Sequence, residues 1–453
     1  MTRRRHCEDD SKTAKIAKIA KIEMLGAPRA SGAIDKINIV TSASTPLRIQ
    51  DGYNAFKAKR LNLNLTRGKP SSAQLDLSSA LLALPGPDDC LAEDGTDCRN
   101  YGVLQGLPEA RHLFSGLLGA PADQVVVANN SSLALMHDAV AFALLKGTSD
   151  SATPWSRERE ISFLCPVPGY DRHFRICEDY GIKMIPIAFG DDGPDIEEVE
   201  RLVASDASIK AMWCMPKYSN PTGHVYSDAV IERLAAMPAA APDFRLFWDN
   251  AYAVHHLTAE RVAIANVLDL SARHGHANRP FVFASTSKIT LAGAGLALFA
   301  SSAANITWLL ARVTPRTIGP DKINQLRHVR FLRDEAGIHA LMESHRAIVA
   351  PKFQAVLDVF TSMLSGTPGV SWTTPKGGYF ISLSVPRGCA RRVVQLAKEA
   401  GLELTPAGAT HPHGKDPDDR VIRIAPTFPD LADVRQAAEG VAWSVLMACH
   451  ASG

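Results

Sequence analysis

Pro280-Phe281-Val282-Phe283-Ala284-Ser285-Thr286-Ser287-Lys288 is the stretch that decides the fold. Its first five residues are apolar, the signature of a strand buried on both faces. The run ends in three hydroxyl residues and a lysine, so it reads as a strand delivering Lys288 to its carboxyl end. A glycine-spaced stretch follows, Leu291-Ala292-Gly293-Ala294-Gly295. A lysine beside apolar strand residues loses solvation, which lowers its pKa and frees its amine as a nucleophile. The small hydroxyls beside it, Ser285 and Ser287, suit a phosphate. Most lysines at strand ends are merely solvated, so the reading rests on what else the chain supplies.

Working outward, apolar runs occur at 124–128, 161–165, 184–188, 211–215, 245–248, 281–284 and 296–300. Most are separated by helix-length stretches. This pattern predicts an α/β fold: a large domain with a seven-stranded, mostly parallel sheet covered by helices. Ligands of such sheets bind outside the carboxyl ends of the strands. Five of the runs end in polar, site-like residues, at 129–132, 166–170, 216–223, 249–252 and 285–288. After 316 the character changes: helices dominate from 324 to 364, 372–383 reads as a turn and a strand, and 421–425 as another short strand. These read as a smaller α/β domain. The expected division is a basic, weakly ordered tail at 1–32, a segment at 33–85 joining the small domain, a large domain at 86–325 and a small domain at 326–453.

The bulk numbers narrow the function classes. The chain has 453 residues, with 49 Lys plus Arg against 47 Asp plus Glu. A net charge near zero offers no electrostatic case for nucleic acid or an anionic membrane. No uninterrupted apolar stretch approaches the roughly 20 residues of a membrane span. The eight cysteines include no Cys-x-x-Cys pair, so reduced thiols in a cytoplasmic protein fit better than a zinc site or a disulfide framework. The tail opens Thr2-Arg3-Arg4-Arg5 and repeats Ala-Lys-Ile from Ala14 to Ile22. It lacks the apolar core of a secretory signal.

The strand ends carry a constellation. Asp249 ends a buried run, where a carboxylate needs a positive partner. A protonated pyridine nitrogen, a helix cap or an ion pair would each serve. Tyr252 lies three residues on, with a phenol that could donate to a ring oxygen or simply pack. Asn220, in Ser219-Asn220-Pro221-Thr222-Gly223, can donate an amide hydrogen from a turn held by Pro221 and Gly223. Ser131 and Ser132 precede a helix, whose free N–H groups attract anions. Tyr170 could stack on an aromatic ring. Arg423, between apolar neighbours, calls for a planar anion such as a carboxylate, or for an internal salt bridge. A lysine with phosphate-holding hydroxyls and a strand-end carboxylate points to pyridoxal 5'-phosphate.

Together these residues resemble the fold-type I pyridoxal-phosphate aminotransferases of class I/II, in the MocR-like branch that includes some bacterial aspartate aminotransferases. The resemblance runs from about Val40 to the C-terminus. It is carried by 65–70, 101–106, 219–223, 249–252, 285–288, 377–380 and Arg423. It implies Lys288 as the Schiff-base lysine, Asp249 as the pyridinium partner and Asn220 and Tyr252 on the ring oxygen. It also implies Arg423, with a backbone contact from Gly68, on the substrate α-carboxylate. Tyr101 would reach the phosphate of a neighbouring subunit, which makes a homodimer the expected assembly. The implied reaction moves an amino group from an amino acid, aspartate first, to a 2-oxo acid such as 2-oxoglutarate. A β-lyase, a decarboxylase or a non-catalytic sensor of the same fold are the alternatives. One position departs from the pattern: Leu296 stands where the usual phosphate-gripping arginine lies. No motif places a partner for a second substrate carboxylate among Arg67, Arg316 and Arg327.

Overall fold

The computed structural model describes residues 46–450. The tail expected at 1–32 lies outside the described residues, as does the start of the 33–85 segment. The described chain begins with a helix, Pro46–Ala58, and a two-residue strand, β1 (Leu63–Asn64). Strands then alternate with helices through β2 (Val125–Asn129), β3 (Ser162–Val167), β4 (Lys183–Gly190), β5 (Gly193–Pro194), β6 (Ile209–Cys214), β7 (Arg245–Asp249), β8 (Pro280–Ser285) and β9 (Leu296–Ala300). These eight form one sheet in the order β2-β9-β8-β7-β6-β3-β4-β5.

All seven expected runs are strands. The eighth, β5, is two residues pairing antiparallel with β4. A Gly-Pro pair is too short to show a period and too poor a strand former to be read from sequence. Strands β8, β7, β6, β3 and β4 run parallel. β9 is antiparallel to both neighbours, so β2 runs the same way as β8. The carboxyl ends of β2, β3, β6, β7 and β8 therefore share one edge, the edge the sequence marks with polar residues.

Strand alternation sorts the apolar residues into two cores. Leu164, Met212, Leu246, Val282 and Leu298 face one side. Phe163, Trp213, Phe247, Phe281, Phe283 and Phe299 face the other. The rings interlock: Phe247 stacks on Phe283 at 5.7 Å and Phe281 on Trp308 at 5.4 Å. Burying each ring contributes about 1.5–3 kcal/mol, which anchors the strands whose ends carry the polar residues.

A third core lies in the C-terminal part. Strands β10 (Ser371–Trp372), β11 (Ile381–Ser384) and β13 (Val421–Ile424) form an antiparallel sheet, and β12 (Leu402–Glu403) pairs with β1. Tyr53, Phe56, Leu63 and Leu65 pack there with Val356, Phe360 and Val441. The chain thus returns to its own beginning, placing Gly68 near Arg423. Among the described residues one helix, Glu335–Leu364, is long and apolar enough to cross a membrane by length and composition. Its apolar side chains are core residues, with Ile338 and Met342 in one core and Val349, Phe353 and Phe360 in another.

Candidate active site

A cavity of about 700 Å³ opens at the carboxyl edge of the sheet. Lys288, Asp249, Tyr252, Asn220 and Tyr170 line it together, with Arg423 from β13 and Gly68 from the loop after β1. Residues far apart in sequence meet because strand order places β6, β7 and β8 side by side.

Lys288 lies three residues past β8. Its Nζ stands over the Tyr252 ring at 4.9 Å. Burial holds its amine below the usual lysine pKa, while the negative charge of Asp249 pulls the other way. The loop is tied from behind by His255, whose Nε2 lies 3.2 Å from the Lys288 carbonyl. Burial drives the His255 imidazole well below its usual pKa, so it is neutral and can donate to that carbonyl.

Asp249 is 2% exposed. Its Oδ2 meets His173 Nε2 at 3.0 Å, while Oδ1 is buried with no partner. Leaving such an oxygen unpaired costs about 1–3 kcal/mol. His173 is itself held flat against Trp213, ring centroids 4.3 Å apart and 9° from parallel. Arg423 is similarly half-satisfied. Its Nη1 donates to Asp171 Oδ1 at 2.9 Å and, more weakly, to Asn220 Oδ1 at 3.4 Å, and its guanidinium lies over the Phe380 ring at 5.1 Å. Its Nε is buried without a partner. A Cβ on Gly68 would run into the Phe380 ring, so only glycine lets this backbone pack against the ring over which Arg423 lies. The cavity therefore presents an open carboxylate oxygen, an open guanidinium N–H and an amine whose proton affinity burial reduces. A cationic ring nitrogen, a carboxylate and an aldehyde carbon are the groups that match them.

A family model described as aspartate amino-transferase matches residues 39–452. The chain belongs to the aspartate aminotransferase family. Transaminase is accordingly its enzyme class, and its substrates are small molecules. Similar aminotransferases include an aspartate aminotransferase of Corynebacterium glutamicum, 48% identical, with 88% of this chain and 92% of that protein covered. A Mycolicibacterium smegmatis protein bearing an aminotransferase name is 55% identical, with 88% and 94% covered. A crystal structure of an aspartate transaminase from C. glutamicum superposes with a TM-score of 0.88 at 47% identity, covering 90% of this chain and 96% of that one.

The other sequence-marked positions of this aminotransferase distribute unevenly. Ser132 lines the cavity at the start of the helix Ser132–Lys146. Ser131 caps that helix without a side-chain hydrogen bond. Ser285 is buried at the end of β8, and Ser287 Oγ donates to Asn130 Oδ1 at 3.4 Å. These three are not among the cavity's lining residues. Tyr101 is 78% exposed and away from the cavity. Burial raises the pKa of both Tyr252 and Tyr170, with Asp249 adding to it, so both phenols keep their protons. Leu296 is buried in β9 and offers a phosphate nothing. Of the three arginines considered for a second carboxylate, Arg67 lines the cavity, Arg316 is paired with Asp138, and Arg327 lies on the helix Lys322–Leu332. Arg172, which also lines the cavity, escaped the sequence reading.

Two further residues were missed. Asp171 directly follows Tyr170 at a helix start, and its charge beside an expected ring-stacking residue was the available signal. His173 sits on the buried face of its helix beside Phe174, Ile176 and Cys177, where a lone histidine reads as core.

Proposed function

We propose that the chain transfers an amino group from aspartate to 2-oxoglutarate, with pyridoxal 5'-phosphate as cofactor, as a cytoplasmic homodimer. The observation that carries this reading is the single cavity uniting Lys288, unpartnered Asp249 Oδ1, Asn220, Tyr252 and half-open Arg423. In this reading Lys288 would hold the cofactor covalently and Asp249 would face its ring nitrogen. Asn220 and Tyr252 would bond its ring oxygen, and Tyr170 would stack on its face. Ser131, Ser132, Ser285 and Ser287 would surround its phosphate, with Tyr101 supplied by a second copy of the chain. When bound, the cofactor supplies an electron sink for the pair released at the substrate Cα.

The chain's own residues do the rest. Arg423 binds the substrate α-carboxylate through its free edge, and the Gly68 backbone adds a contact. That fixes the substrate Cα relative to Lys288. Once the substrate amine has displaced it, the Nζ of Lys288, its pKa lowered by burial, takes the Cα proton as a general base. Asp249, steadied by His173, keeps negative charge where a cationic ring requires it. Arg67 takes the distal carboxylate of a dicarboxylic substrate. It has no ion pair among the described residues, and its neighbour Gly68 packs on the same Phe380 ring as Arg423. Both substrates use one carboxylate site, so they bind in turn and the kinetics are ping-pong. The buried free thiols of Cys98, Cys165, Cys177 and Cys214 fit a reducing compartment.

An amino-donor panel against 2-oxoglutarate and glyoxylate tests the reading. The aspartate/2-oxoglutarate pair should show the highest kcat/KM. Multiple-turnover release of an oxo acid and ammonia, or of CO2, from aspartate with no acceptor present would replace it with a lyase or a decarboxylase respectively.

A further inference from the structure

A second cavity, of about 360 Å³, lies on the other side of the strand end that carries Asp249. Asp249, Ala251 and Tyr252 line the first cavity, whereas Trp248, Asn250 and Ala253 line the second. The two linings share no residue. The second is mostly apolar, with Leu113, Val254, Val267, Val282 and Ile338 among its walls.

Within these apolar walls sits Lys217, only 8% exposed. Among the described residues its ammonium has no hydrogen-bond or ion-pair partner; it stands over the Tyr218 ring at 5.8 Å. A buried charge without a counter-ion is costly. The remaining titratable or charged groups lining the cavity are His256, Arg261, Glu335 and His339. His256 Nδ1 is engaged by the Tyr218 hydroxyl at 2.7 Å, and Glu335 pairs with His339 at 3.4 Å. That leaves Lys217 as the buried cation of the lining with no hydrogen-bond or ion-pair partner among the described residues; Glu335 is the one carboxylate there, and Arg261 interacts electrostatically with Glu343. Asn250 Oδ1 is also buried without a partner.

We propose that this cavity is a second binding site, taking a small monocarboxylate with an apolar body whose carboxylate pairs with Lys217. The apolar walls select against a dicarboxylate, and the volume lies at the small end of the roughly 300–1,000 Å³ of ligand pockets. The site stands apart from the substrate cavity, yet it adjoins it in the chain. Lys217 precedes Asn220 by three residues, and His256 bridges to Gly377, in the loop leading to Phe380.

Calorimetric titration of the holoenzyme with phenylacetate, with excess maleate filling the substrate cavity, tests the proposal. One site per chain is expected, unchanged by maleate and by Arg423→Lys. Lys217→Met should weaken it by about tenfold or more, and Lys217→Arg should restore most of it. Burial brings the Lys217 pKa down to about 8. Binding should therefore weaken between about pH 7 and about pH 9 as that proton leaves. No saturable binding, displacement by maleate, or unchanged affinity in Lys217→Met overturns the proposal. Should that variant not fold, the wild-type pH series decides: affinity independent of pH across that window overturns it equally.

Discussion

Lys288 and Lys217 make a natural pair. Both follow strands of one sheet, both end at its carboxyl edge, and burial lowers the pKa of both. Their surroundings differ. Lys288 faces a carboxylate, Asp249, that partly restores its proton affinity, and it shares a cavity with arginines and an unpartnered carboxylate oxygen. Burial is the only influence on the Lys217 pKa, and the residue lines a smaller, mostly apolar cavity. Burial alone makes an amine reactive or costly. The neighbouring groups decide whether it becomes a covalent anchor or a counter-charge awaiting an anion.

The sharpest way to break the comparison is to delete each amine. Lys288→Ala should lower kcat for aspartate and 2-oxoglutarate by about 10³-fold or more, while Lys217→Met keeps it within about threefold. Comparable losses in steady-state assays would erase the distinction.

Asp249→Ala comes next. It should cost about 10²–10³ in kcat, in the range set by losing one preorganised electrostatic contact. The variant also has a signed pH consequence. Asp249 raises the Lys288 pKa, so its removal lets burial lower that pKa further. Pyridoxal phosphate uptake by cofactor-free protein, followed by absorbance, needs the neutral amine. Its rate should therefore rise at lower pH in the variant than in the wild type. No shift, or a shift to higher pH, would show that Asp249 does not raise the Lys288 pKa.

Arg423→Lys keeps a charge but loses the planar fork. KM for both substrates should rise by about 10- to 100-fold, more than kcat falls. Arg67→Ala sharpens specificity: KM for aspartate should rise by about tenfold, with KM for alanine nearly unchanged. Equal effects on both donors would move the distal carboxylate to Arg172. The smallest effect is expected for His173→Phe, which keeps the stack on Trp213 but removes the bond to Asp249. Loss of one buried hydrogen bond to a charged group predicts a fall of severalfold in kcat and about 1.5–3 kcal/mol in stability, read by activity and denaturant unfolding.

Legibility followed sequence distance. Lys288, Asp249 and Asn220 each sit just past an apolar run, so a local pattern marks them as strand-end residues. His173 and Asp171 depend on partners 76 and 252 residues away, and no local pattern encodes such pairings. Lys217 stood inside the 216–223 loop, but its isolation appears only when every neighbouring side chain is in place. Tyr101 shows the opposite case. Its motif is local, yet in the single chain it points at no partner.

By itself the amino-acid order determined the seven long strands, their shared polar edge and the residues standing on it. It could do so because strand alternation and turn chemistry act over a few residues. Only the tertiary structure decided which edge residues face one another, which polar atoms remain unpartnered, and that Lys288 and Lys217 line separate cavities. Those outcomes depend on strand order and on close packing between segments hundreds of residues apart, where one side chain's surroundings are set by the whole chain.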